Sequence, residues 1–114
     1  MNIRTESFHA GEFLLSEGNG QISREAINVA AGVALEAGQI LGLITDSGEF
    51  APYNPTAEDG SENAACILFG PLSQSDVMRR GRAIVRLAEV SDAHLTGLDS
   101  DAEKALGLRF IIVR

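Results

Sequence analysis

The sequence predicts a mainly β domain with one or two short helices, and three stretches carry that prediction. Gln39 to Thr45 is a short apolar run with Leu41 and Leu43 on one strand face and Ile40 and Ile44 on the other. Ala64 to Phe69 is apolar on both faces in the same way, and Leu108 to Arg114 is rich in β-branched and aromatic residues. Short runs of this kind, bounded by turn residues, are strands, and the first two are apolar on both faces as strands buried on both sides are.

At 114 residues with 45% hydrophobic content, the chain is the size of one domain and can bury a modest core. Aromatic residues make up only 5% of it, so that core rests on Ile, Leu, Val and Ala. A net charge of −7 argues against direct nucleic-acid binding, which needs clustered Lys and Arg to meet phosphates. Cys66 is the only cysteine, which excludes an intrachain disulfide framework. Met1 to Ser7 lacks the apolar run of a signal peptide, and no stretch approaches a membrane span. The expectation is a protein made and kept in a cytoplasm, with no membrane partner.

Taken in order, residues 1–20 differ from the rest. Phe8, Phe13, Leu14 and Leu15 sit among glutamates and glycines without a sustained period of 2 or 3.6. Two readings are open: a frayed terminus, or an arm that docks by adding an extended segment to a partner's sheet edge. Gln21 to Val29 alternates as a strand. Val33 to Ala37 could be helical by composition, but Gly32 and Gly38 on either side favour strand and turn.

Asp46-Ser-Gly48 predicts a three-residue hairpin loop with Gly48 at a positive φ, followed by an extended Glu49 to Tyr53. Asn54 to Asn63 is a loop. Leu72 to Met78 reads as irregular or as one helical turn with Ser73 as a cap. Arg79 to Val90 reads as one alternating segment, Ala83, Val85 and Leu87 on one face and Arg80, Arg82 and Arg86 with Ile84 on the other. The arginines are either a solvated face or a subunit contact in which guanidiniums meet a neighbour's carboxylates. Ser100 and Glu103 form a capping box for a helix over Asp101 to Leu106, ended by Gly107.

Enzyme signals are poor. His9 and His94 stand at no metal-ligand spacing with Cys66 or a carboxylate, and Cys66 lies in an apolar strand where an inert thiol is expected. Gly18-Asn-Gly-Gln lacks the third glycine and the flanking elements of a dinucleotide loop. Asp99 and Asp101 suit a helix start better than a calcium loop. The expectation is no catalytic residue, no metal, no cofactor and no small-molecule substrate.

Two families share features with the central stretch. Glu36 to Gly48 is similar to the hairpin of biotinyl and lipoyl domains, but the only lysine is Lys104, far from the turn, so a carrier role has no attachment point. Residues 20–114 resemble the bacteriophage head decoration protein family of the lambda type. The residues that carry this are Ser23-Arg-Glu25, Leu35 to Thr45 with its spaced glycines, Tyr53-Asn-Pro55, the Asp59-Gly60 loop, Ala64 to Leu68, Arg82 to Val90 and the closing Gly107 to Val113.

The resemblance implies a β-clip-like fold, a homotrimer and no catalysis. It implies a virion protein on the capsid exterior, in the host cytoplasm before assembly, that clamps major capsid proteins at three-fold positions. It implies an N-terminal arm that orders on the shell by joining a capsid strand, the role that residues 1–20 with Phe8, Phe13, Leu14 and Leu15 suggest by their own composition, ahead of a decoration domain over 21–114. Apart from the family, strands apolar on both faces predict more apolar surface than one small core hides, and a subunit interface would cover the excess. The alternative is a small β-rich adaptor that binds another protein through the same arm.

Overall fold

A computed structural model describes residues 9–114 of the chain. Its strands are β1 (Leu14–Glu17), β2 (Arg24–Val29), β3 (Ile40–Leu43), β4 (Phe50–Pro52), β5 (Ala64–Leu68), β6 (Arg79–Ile84), β7 (Ala88–Val90) and β8 (Ile111–Val113). A 3-10 turn (Asp92–His94) and one helix, α1 (Ser100–Gly107), separate the last two strands. The fold is mainly β with one short helix, as the apolar runs predict.

Five strands close a barrel in the order β2-β4-β3-β5-β6, and the remaining three form a sheet in the order β1-β7-β8. β2 and β6 pair antiparallel along their whole length, Arg24 opposite Ile84 and Val29 opposite Arg79. The barrel's weakest seam is between β2 and β4, which meet only at Val29 and Phe50, with the Ala30 N–H donating to the Phe50 carbonyl at 2.8 Å.

The two-faced apolar strands form a wall between two cores. Leu41, Cys66, Leu68 and Ala83 join Ile27, Val29 and Leu35 inside the barrel. Ile40, Ile67 and Ile84, their neighbours on the same strands, face the other way, onto Phe13, Val90, Ile111 and the helix residues Ala102 and Leu106. All five residues of β5 are buried. Both faces of these strands are thus covered within one chain apart from Leu43, which is exposed.

Gly38 and Gly42 explain the glycine spacing of the central stretch. A Cβ on Gly42 would lie 2.6 Å from the Ser61 carbonyl oxygen, and one on Gly38 would lie 2.2 Å from that of His94. Both are points where another backbone segment crosses against the strand.

Several local expectations are corrected. The hairpin loop is one residue longer than predicted: the Ile44 N–H donates to the Glu49 carbonyl, enclosing residues 45–48, and the Gly48 N–H reaches back to Ile44 at 2.9 Å. Gly48 does take the positive φ, at 76°. Leu43 and Ile44 leave the buried region, so only Ile40 to Gly42 is fully enclosed.

The segment Arg79 to Val90 is two strands in two different sheets, broken at Val85 to Leu87, because Leu87 turns the chain at φ 55°. The helix is capped by Asp99 and not by Ser100; the Asp99 carboxylate accepts the Ala102 N–H at 2.7 Å. Gly107 is its last residue rather than its stop. Of the two readings of Leu72 to Met78 the irregular one holds, the segment running past residues 32–35 with bridges from Gly32 to Ser75 and from Leu35 to Leu72.

Candidate functional site

The front of the described chain is anchored, and its sequence shows how. Glu12 accepts the His9 N–H at 2.8 Å, Gly11 turns the chain at φ 71°, and the Gly11 N–H donates to the Phe69 carbonyl. Phe13 then enters the core with no exposed surface, and Leu14 packs beside it at the start of β1. Of the four residues assigned to a gripping arm, only Leu15 is exposed on the described surface; Phe8 lies outside the described residues.

β1 is also tied from behind. The buried Ser23 hydroxyl accepts the Gly18 N–H and donates to the Leu87 carbonyl at 2.8 Å. Arg24 makes a two-pronged contact with Glu17 at 2.7 and 3.1 Å while its guanidinium stacks 4.2 Å from the Phe69 ring centroid. The Glu17 carboxylate raises the Arg24 pKa by accepting these hydrogen bonds. The bidentate geometry and the stacking together fix one orientation of the strand.

Arg80 and Arg82 do lie together, and Arg86 stands apart from them. The first two rim an open cavity of about 440 Å³ whose floor is Ala26, Phe69, Pro71, Leu72 and Gly81. Arg80 donates to the Asn28 side-chain carbonyl at 3.1 Å and Arg82 to that of Gln21 at 3.4 Å, so among the described residues each meets a neutral amide and no carboxylate. Arg86 instead pairs with Glu25 and donates to the Ile22 carbonyl, and is spent inside its own chain. The turn at Ala10 and Gly11 adjoins this groove, since Gly11 rests on Phe69 and Ala10 on Gly70.

A second surface was missed by the sequence reading. Leu87, Phe110 and Ile112 stand exposed beside Ser16, Glu17 and Glu89 on the outer side of the β1-β7-β8 sheet. Phe110 is 66% exposed. Leu87 and Phe110 are also the only non-glycine residues with positive φ among the described residues, at 55° and 62°. Each such residue costs roughly 1–2 kcal/mol, and strain of this kind gathers at functional sites. The signal available in the sequence was the alternation of Leu108, Phe110 and Ile112 within a run apolar on both faces.

Cys66, Tyr53 and His94 all have partners or surroundings within the fold. Cys66 is fully buried, and burial pushes its thiol up to about 12. Burial, and then its hydrogen bonds to the two Asp99 oxygens at 2.9 Å, push the Tyr53 phenol up to about 12. His94 lies 3.8 Å from Glu12 and shares a hydrogen bond with Ser91. Among the described residues no group of three His, Cys, Asp or Glu side chains is placed to hold a metal.

Open apolar surfaces rimmed by charge are the mark of a protein that binds other proteins. The comparison with known families gives that class its name. The chain belongs to the bacteriophage lambda head decoration protein D family, whose model matches residues 3–110. That match covers nearly the whole chain, and the family consists of structural components of phage heads. No curated protein matches it.

Proposed function

We propose that this protein decorates the exterior of an expanded phage head as a homotrimer at three-fold positions. There it clamps neighbouring major capsid proteins against the pressure of packaged DNA. The family match over residues 3–110 carries the reading. Before assembly the trimer waits in the host cytoplasm.

Gripping belongs to the N-terminal segment. Phe13 and Leu14 are committed to the domain core, so within residues 1–20 the grip falls to the stretch ahead of His9, with Phe8, and to the exposed Leu15. Three such arms on one rigid body hold a shell far better than one, because the second and third contacts form at high effective concentration.

Deletion of residues 1–8 tests this. Removal of residues 1–20 would take Phe13 and β1 out of the fold and confuse unfolding with lost binding. The shorter truncation should keep its circular dichroism and its trimer mass and lose binding to expanded shells. Wild-type occupancy by the truncated protein would refute the arm's role.

A further inference from the structure

We propose that Phe110 of one copy seats in the groove between Arg80 and Arg82 of the next, and that this head-to-tail contact closes the trimer. The inference rests on the homotrimer reading above and names its two contacting surfaces.

The groove is built to receive an aromatic ring. Its floor is apolar, from Ala26, Phe69, Pro71, Leu72 and Gly81, and two guanidiniums stand at its rim. A guanidinium over a ring face is favourable, and the same chain already uses that contact where Arg24 covers Phe69. Among the described residues Arg80 and Arg82 hold neutral amides and no carboxylate, in a protein of net charge −7 whose Arg24, Arg86 and Arg114 all meet carboxylates.

The knob matches in chemistry. Phe13 is buried, Phe50 and Phe69 are half-buried, and Phe110 stands out from the surface. It is held there by a backbone conformation that Gly or Asn would adopt with less strain, beside Leu87 in the same state. Glu17 and Glu89 flank it, and their own pairs with Arg24 and Arg114 leave the ring as the group offered to the groove. Knob and groove are different surfaces, so the contact is heterologous, the kind that forms a ring when its rotation closes.

Cysteine pairing tests the contact. Pro71 is exposed on the groove and Cys66 is buried, so Pro71→Cys combined with Phe110→Cys offers one new pair per interface. Mild oxidation should give a covalent species of three chains on a denaturing gel, absent from either single variant. Linked dimers from Phe110→Cys alone would show the patch meeting itself and overturn the proposal. Linkage of Pro71→Cys to Phe8→Cys instead would give the groove to the arm and overturn it as well.

A second variant, Phe110→Asn, keeps a residue that tolerates left-handed backbone and removes the ring. It should stay folded and fall threefold in mass, to one chain of 12.1 kDa. A Phe110→Asn protein that remains trimeric but no longer binds shells would assign the patch to the capsid and refute this contact. A monomeric wild type would overturn the trimer reading itself, which a trimeric wild type with an unaffected Phe110→Asn would not.

Discussion

The wall strands β3, β5 and β6 and the outer face of the β1-β7-β8 sheet are both rich in apolar residues, yet they do opposite things. On the wall, Ile40, Ile67 and Ile84 face one core and Leu41, Cys66 and Ala83 the other, and only Leu43 at the end of β3 is left outside. On the sheet, one side packs through Val90 and Ile111 while the other presents Leu87, Phe110 and Ile112 to solvent. An apolar strand is therefore no sign of a contact surface by itself. The informative feature is an apolar side chain left outside and held on strained backbone.

Substitutions can break or sharpen that contrast, and the wall side should respond most. Phe13→Ala empties the point where β1 joins the shared core and should cost about 3–5 kcal/mol in denaturant unfolding. Gly42→Ala drives a methyl group into the Ser61 backbone and should cost about 3 kcal/mol, since no flexible side chain is there to yield. Asp99→Ala removes the cap of α1 together with the partner of Tyr53, for about 1–2 kcal/mol. At the other extreme, Ile112→Ser on the sheet face should change monomer stability by less than about 0.5 kcal/mol.

Tyr53 adds a pH test. Its folded pKa is raised above the unfolded value of about 10, to about 12. The stabilisation is complete below the unfolded value and is lost as pH rises through the folded one. Urea midpoints should fall across that alkaline window, and Tyr53→Phe should flatten the Tyr53 share of the fall. An unchanged slope would mean that the phenol is not held by burial and Asp99. On the acid side, Glu89, lowered by its hydrogen bonds to Arg114 and Ser16, stabilises above its unfolded pKa and loses that as pH falls. It is exposed, so the change there should be the smallest.

Much of this was legible in the residues. The central run, the Ala64 strand, the closing strand, the buried Cys66 and a short helix near residue 101 follow from local pattern, because burial on both sides and helix capping leave marks in a few consecutive residues. The lambda-type resemblance was carried by glycines whose role is now physical: Gly38 and Gly42 let other backbones cross close to the strand. Less legible were the split of Arg79 to Val90 between two sheets and the commitment of Phe13 to the core. The split depends on Leu87 at a positive φ, a conformation that a leucine does not announce.

What the sequence alone determined is a small acidic β domain with a family resemblance. Alternation, turn residues and composition are local quantities, and they are enough for that. Only the tertiary structure decided which apolar residues are core and which are surface. Phe13 and Phe110 are the same residue type, yet one is fully buried and the other largely exposed. Their difference is set by contacts tens of residues away, where the Ser91 N–H donates to the Phe13 carbonyl and the Ala88 N–H to the Phe110 carbonyl. No window of neighbouring residues contains that information, because burial belongs to the packed chain.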